Sequence, residues 1–445
     1  MIYIDLTDLV EFARFNDVVS GIQRVVYNLA RELEDDSEVS FVVLPRSKEP
    51  WIRLSSMKLE SSGSIKCLNR INENWRLSRI KWSRARARAR KERGIHKAQS
   101  LINFLLSRFV RPLLPQKELD LEVMCASRIP DEAFKKGDVI VVPSIPQHCD
   151  YLRMRLEPLR DRVKIVFFYH DIIPLTGKQF TLAGETSNFR KYFDLMMDRA
   201  DLLITSAKFN VNDFRKYAAI SSPEKTVPPI ESIGLPVEFP VHVTDENFFE
   251  VSSVIRRLSA YKFCLSVGSV GPRKNYFELL QAWKKFYESD AYNNEILVVA
   301  GAPWESAADI VELLRNKAFC GGSIIYTERP SDIELSYLYE NCRFTICISL
   351  FEGWGLPVSE SIAMGKPVVA LNATSLPEAG FGLINSVETR NLKELQRMIE
   401  KLFMDETFYQ ESLNRVLNAR QDLPTWSDFA SRLIGQIKRN MPNIS

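Results

Sequence analysis

The sequence predicts an α/β protein made of two parallel-sheet domains, and three observations carry that reading. Short apolar, β-branched segments recur with helical spacing between them, near 39–44, 139–144, 164–169, 202–206, 263–267, 296–300, 323–327, 344–349 and 367–371. That alternation is the pattern of parallel sheets covered by helices. At 445 residues the chain is too long for one ordinary core and suits two of about 200 residues each. A composition of 45% hydrophobic and 26% charged residues is that of ordinary globular proteins.

Taken from the N-terminus, Ile2-Tyr3-Ile4-Asp5 reads as the first strand. Ser20-Gly21-Ile22-Gln23-Arg24 opens an amphipathic helix through Tyr27, Leu29, Ala30 and Leu33, and Gly21 there lets a ligand approach the backbone closely. Lys164 to Tyr169 is a buried strand ending in His170-Asp171, and Leu202 to Thr205 is another ending in Ser206, which is placed to cap the following helix. The pattern breaks at Leu235-Pro236-Val237-Glu238-Phe239-Pro240 and restarts at Phe263, which sets a first domain at 1–240 and a second at 255–430. A last helical segment follows, with Trp426 to Ile437 as its apolar stretch and 431–445 as its end.

One stretch falls outside this pattern. Between Trp75 and Arg111 there are twelve Lys or Arg and one acid, Glu92, a net of +11 in a chain whose total is +3. It reads as a basic helical insertion, about 70–115, in the first domain. Basic charge beside Trp75, Trp82, Phe104 and Leu105 is the composition of helices that lie on anionic membrane surfaces. Non-specific binding to a phosphate backbone and a plain solvated insertion are the competing readings, and no specific nucleic-acid partner is expected.

The seven cysteines are scattered with no C-x-x-C pair, and the four histidines make no metal spacing with them, so reduced thiols and no metal site are expected. Met1-Ile2-Tyr3-Ile4-Asp5 has no basic leader region, and no apolar run approaches a membrane span. The expectation is a cytoplasmic protein, peripheral at the inner face of the membrane if the basic segment docks there. No Gly-x-Gly-x-x-Gly follows the first strand, which argues against a dinucleotide dehydrogenase. Around Gly365-Lys366-Pro367 the remaining residues of a Walker A loop are missing.

Two motifs carry the chemistry. In the first, the strand Phe344–Ser349 leads into Leu350-Phe351-Glu352-Gly353-Trp354-Gly355-Leu356-Pro357, and a helix runs from Val358 to Met364 with Glu360 on its first turn. Strand, glycine loop and helix N-terminus make an anion site, with the amides of Gly355 and Leu356 and the helix dipole facing negative charge. Carboxylates flanking that anion suit a phosphorylated sugar. In the second, Phe263 to Val267 ends in Gly268, and Ser269-Val270-Gly271-Pro272-Arg273-Lys274-Asn275 precedes a helix through Leu279, Leu280 and Trp283. Arg273 offers a planar two-pronged phosphate contact and Lys274 a mobile point charge.

These segments resemble the donor-site motifs of the retaining, metal-independent GT-B glycosyltransferases grouped as family 4, the group 1 transferases. That family pairs Glu-x7-Glu around Gly-x-Gly-Leu-Pro with an upstream Val-Gly and Arg-Lys-Asn. Trp354 stands where Phe is frequent, and Glu360-Ser361-Ile362-Ala363-Met364-Gly365 replaces Glu-Ala-Met-Ala-x-Gly. The resemblance implies two Rossmann-like domains facing a cleft, the first for the acceptor and the second for a nucleotide-diphosphate sugar. It implies that Arg273 and Lys274 neutralise the leaving diphosphate, that Glu352 contacts the transferred sugar, and that Glu360 holds the ribose hydroxyls. Gly21, Gly268, Gly353, Gly355, Leu356 and Pro357 are then donor-binding backbone, His170 lies beneath the sugar, and Asp171 faces the acceptor. The combination of Ser20-Gly21-Ile22-Gln23-Arg24 with Glu352-Gly353-Trp354-Gly355-Leu356-Pro357 looks like bacterial mannosyl- and rhamnosyltransferases of surface-polysaccharide assembly. GDP-mannose is therefore the first donor to expect, ahead of UDP- and dTDP-sugars, with a glycan or polyprenyl-linked glycan as acceptor and no metal or other cofactor. The alternatives are a sugar-nucleotide epimerase of the same fold and a non-catalytic membrane-associated partner in a polysaccharide assembly complex. The second would predict lesions in the donor motif, and Glu352, Glu360, Arg273 and Lys274 are all in place.

Overall fold

A computed structural model describes residues 1–13, 21–45, 50–54, 126–145, 149–181, 183–239 and 241–442. The basic segment 75–111 lies outside them. The first sheet holds β1 (Ile2–Asp5), β2 (Val39–Val43), β3 (Trp51–Leu54), β4 (Ala126–Ile129), β5 (Asp138–Val142), β6 (Val163–Phe168), β7 (Leu202–Thr205) and β8 (Ile230–Ser232). Its strand order is β4-β3-β2-β1-β5-β6-β7-β8. All neighbours from β2 to β8 are parallel, while β3 and β4 add an antiparallel edge. The second sheet, of β9 (Phe263–Val267), β10 (Ile296–Ala300), β11 (Ile324–Thr327), β12 (Phe344–Cys347), β13 (Val368–Leu371) and β14 (Asn385–Val387), is parallel throughout in the order β11-β10-β9-β12-β13-β14.

Parallel strands need helical crossovers, and these cover both faces, so the strands read as unbroken apolar runs. β5 and β10 are buried at every position. Strand order reverses between β1 and β5 in the first sheet and between β9 and β12 in the second. Ligands of such sheets sit in the crevice beyond the carboxyl ends of the strands at that reversal. The loops carrying Gly268 to Lys274 and Leu350 to Leu356 leave the neighbouring strands β9 and β12, so both motifs arrive at one crevice.

The second core is anchored by Trp283, wholly buried, which donates its indole N–H to Ser323 Oγ at 3.0 Å. Phe286 and Phe344 pack with Phe403 beside it. The last helix, Trp426–Asn440, returns to the first domain. It begins five residues before the 431 boundary read from the sequence, because Thr425 and Asp428 form a reciprocal cap there. Phe429 meets Phe168 of β6 edge to face at 5.6 Å, Arg432 Nη1 donates to the Ile233 carbonyl at 3.4 Å, and Lys438 pairs with Glu38. Among the described residues no helix is long and apolar enough to cross a membrane. Cys264, Cys320, Cys342 and Cys347 are buried thiols.

Candidate functional site

Beyond β9 the chain makes a tight turn that brings two cations back over the strand end. Gly268 has φ 147°, and the Lys274 stem lies across it: a Cβ there would sit 3.0 Å from Lys274 Cε and 3.1 Å from Nζ. Pro272–Lys274 forms one 3-10 turn, and Asn275 adopts φ 59° before the helix Tyr276–Tyr287 starts. The turn is tied to the neighbouring loop by Leu350 N–H donating to the Arg273 carbonyl at 2.8 Å and by Arg273 Nη1 donating to the Phe351 carbonyl at 2.8 Å.

Glu352 joins the two motifs. Its Oε1 accepts from Lys274 Nζ at 2.6 Å and its Oε2 lies 2.5 Å from Arg273 Nη1. Burial alone would raise this carboxyl, but Lys274 and then Arg273 overcome it and hold it at about 2. Glu352 is therefore an anion at any physiological pH and no proton donor. The Ser375 hydroxyl, fully buried, lies 2.8 Å from the carbonyls of both Glu352 and Trp354 and fixes the loop. Gly355 has φ 111°, and a Cβ on it would come within 2.6 Å of Leu376 Cδ2. Only glycine suits both constraints. Leu356 and Pro357 then open the helix Leu356–Ala363, whose first turn is eased by the fixed φ of proline.

Glu360 on that helix faces the first domain. Its Oε2 accepts from the Tyr339 hydroxyl at 2.9 Å, and its Oε1 from Arg24 Nη1 at 3.1 Å. Arg24 Nη2 also donates to Asp332 Oδ1 at 2.6 Å. Burial raises the Glu360 carboxyl, against the opposing pull of Arg24.

Gly353 is the hinge of contact between the domains. A Cβ on it would meet the His170 carbonyl at 2.6 Å and Asp171 Cβ at 2.7 Å. Its own carbonyl accepts from Asn210 Nδ2 at 2.6 Å and from the Ser206 hydroxyl at 3.0 Å. Ser206 thus does not cap the next helix, which starts after Ala207 with no side-chain cap. Glu378 takes that place from the other domain: its two oxygens accept from the backbone N–H groups of Lys208 and Phe209 at 2.8 and 2.9 Å.

His170 Nε2 lies 3.0 Å from the Pro143 carbonyl, which can only accept, so Nε2 carries the proton. Burial pushes this imidazole down to about 4, so it is neutral with Nδ1 left as an acceptor. Asp171 accepts from Ile173 N–H at 3.0 Å, and burial raises it to about 6. It stands against Gly353 and near Arg273. Gly21, with φ 55°, caps the helix Ile22–Glu32, and nothing lies within 4 Å of a Cβ placed there. At the end of β1, Asp5 and Asp8 are buried and each raised by that burial to about 6; Asp8 accepts from Gln23 Nε2 at 3.2 Å.

The structure therefore gathers Arg273, Lys274, Glu352, Glu360, Gly268, Gly353, Gly355, His170 and Asp171 around one cleft. Sequence reasoning passed over Arg24, Asp332, Tyr339, Asn210, Ser375 and Glu378. Arg24 had one usable signal, its place on the first helical turn after a glycine; the others had none in a single sequence.

Residues 250–421 match the family described as glycosyl transferases group 1. That match covers most of the second domain and none of the first. Two relatives from Escherichia coli share sequence with it. The serotype-specific mannosyltransferase WbdA is 25% identical over 277 residues, which is 61% of this chain and 33% of that protein. The O-antigen chain mannosyltransferase B is 26% identical over 230 residues, 51% of this chain and 56% of the relative. The match thus spans about a third of the length of WbdA. Among solved structures, Anabaena HepE in complex with UDP and glucose superposes with a TM-score of 0.60 at 13% identity, covering 98% of this chain and 99% of that one. Sucrose-phosphate synthase from Thermosynechococcus elongatus gives 0.60 at 14% identity over 100% and 99%. At such identities the likeness is one of fold, and the fold is GT-B.

Proposed function

We propose that this protein is a retaining glycosyltransferase that moves a hexose from a nucleotide-diphosphate sugar to a glycan or polyprenyl-linked glycan in polysaccharide biosynthesis. GDP-mannose is the proposed donor, in keeping with the mannosyltransferases it resembles in sequence. The observation that carries the reading is the convergence of Arg273, Lys274 and Glu352 where the strand order of the second sheet reverses, with Glu360 on the helix that follows. The second domain holds the donor, and the first presents the acceptor.

In the proposed reaction the acceptor oxygen bonds to the anomeric carbon as the bond from that carbon to the diphosphate oxygen breaks. The acceptor proton passes to the departing diphosphate on the same face. Arg273 and Lys274 meet the charge that develops on the leaving group, which preorganised cations in a dry site stabilise well. That work needs no metal in this reading. Glu352, held ionised, accepts from sugar hydroxyls and faces the positive charge growing at the anomeric carbon. Neutral His170 offers Nδ1 to another hydroxyl, and Glu360 takes the ribose. Docking of the basic segment 75–111 on anionic lipid would bring the chain to lipid-linked acceptors at the cytoplasmic face.

The test is turnover of GDP-mannose, and of the UDP- and dTDP-sugars beside it, with and without lipid-linked glycan acceptors, in chelator. Acceptor-dependent release of the nucleoside diphosphate supports the reading. Isomerised sugar nucleotide formed without an acceptor would overturn it in favour of an epimerase.

A further inference from the structure

Among the described residues three polar contacts cross the cleft, beside the Phe209–Phe351 ring pair, and one of them runs straight into the proposed donor site. Gly353 rests on Asn210 and Ser206, and Glu378 caps the helix Lys208–Ser221. Neither contact touches a group assigned to the donor through its side chain. The third is Arg24, which leaves the first domain and ends on Glu360 and Asp332 of the second.

We propose that Arg24 is the positioning residue that couples ribose recognition to closure of the cleft, by holding the Glu360 carboxylate from the opposite domain. The inference rests on Glu360 as the ribose acceptor and adds the residue that makes it competent.

The geometry supports this in two ways. A carboxylate has about four acceptor positions, two on each oxygen. Arg24 fills one on Oε1 and Tyr339 one on Oε2, leaving one on each oxygen for the two hydroxyls of a ribose. The carboxylate plane is set by donors from two domains before a sugar arrives.

Charge supplies the second argument. Arg24 is 8% exposed and Glu360 also 8%, with Asp332 paired to the same guanidinium. Two carboxylates enclosed together disfavour each other's ionisation unless a cation sits between them. Lys274, the other cation acting on Glu360, is already bonded to Glu352. Opening the cleft removes Arg24 from Glu360, so the carboxylate is held in this orientation only in the closed form. Lysine cannot replace this function fully, because one ammonium lacks the planar fork that spans two carboxylates.

The experiment is a double-mutant cycle between residue and ligand, read by calorimetry on the full chain. Wild type, Arg24→Met, Arg24→Lys and Glu378→Ala are titrated with GDP, UDP, dTDP and ADP. The nucleotide that binds is then compared with its 2′,3′-dideoxy analogue. Wild type is expected to prefer the hydroxylated nucleotide at least tenfold. Arg24→Met should lose most of that preference, Arg24→Lys should lose part, and Glu378→Ala should keep it while binding both ligands more weakly. Should Arg24→Met fail to fold, Arg24→Lys carries the same criterion. A full preference retained in the Arg24 variants would overturn this inference and leave the transferase reading standing. Wild-type protein that binds none of the four would overturn that reading and this inference with it.

Discussion

Replacing Lys274 with methionine removes one charge from the centre of the site and keeps most of the stem that lies across Gly268. Lys274 and Glu352 each have side chains only 10% exposed and are 2.6 Å apart. Removing one partner of a fully buried pair costs roughly 3–5 kcal/mol. Here Arg273 stays 2.5 Å from the other carboxylate oxygen, so the loss of stability should fall lower, at about 1–3 kcal/mol. For a domain of this size that is a fall of roughly 3–10 °C in Tm. Catalysis should suffer more. A preorganised group facing charge that develops only in the transition state contributes about 3–4 kcal/mol, so kcat should drop roughly 10²–10³-fold. Release of nucleoside diphosphate from the donor, with acceptor saturating, reads kcat; a thermal melt run beside it reads the fold. A folded Lys274→Met protein turning over within threefold of wild type would refute the phosphate role.

Three further outcomes test separate parts of the structure. Gly353→Ala drives a Cβ into the His170 carbonyl at 2.6 Å, and backbone cannot yield there cheaply; the cleft should open, visible as a larger radius of gyration by solution scattering and at least tenfold weaker donor binding. Asp5→Asn tests the buried acid that ends β1. The folded pKa of Asp5 is raised from 3.8 to about 6 by burial, so the protonated form is favoured in the fold. That contribution is complete below the unfolded value and lost as pH rises through 6, leaving a cost of up to about 3 kcal/mol at pH 7.5. The neutral amide of the variant carries no such cost, so its Tm should exceed wild type at pH 7.5 and match it near pH 4; equal melts at both would contradict the burial argument. Deleting residues 75–111 removes a net charge of +11 and should abolish binding to vesicles containing phosphatidylserine, whereas undiminished binding would sink the membrane proposal.

The half of the proposed site that lies on the second domain was legible because its residues are contiguous. Gly268 to Lys274 and Glu352 to Glu360 each follow a strand within a few residues, so glycine spacing and charge single them out before any fold is known. The closing half was hidden because Arg24 finds its partners 308 and 336 positions away, a pairing no local pattern encodes. Ser206 shows the limit from the other side. A serine before a helix ordinarily caps it, yet here Glu378 from the second domain supplies the cap and frees the hydroxyl for Gly353. In the fold, the long apolar strands were readable, while β8 and β14 are only three residues each. Strands β3 and β4 are four residues each and pair antiparallel across a long intervening segment, and β3 shows no alternation, with Trp51, Ile52 and Leu54 buried and Arg53 half-buried.

The most direct test of the central claim is a thermal-shift measurement of the purified full chain against GDP, UDP, dTDP and ADP and their common sugars, in chelator. A ligand of the native state at a hundred times its dissociation constant stabilises by ~2.7 kcal/mol. The account predicts a clear upward shift with one base, GDP first, that is lost in Lys274→Met. No shift with any nucleotide would contradict a donor site built from Arg273, Lys274, Glu352 and Glu360.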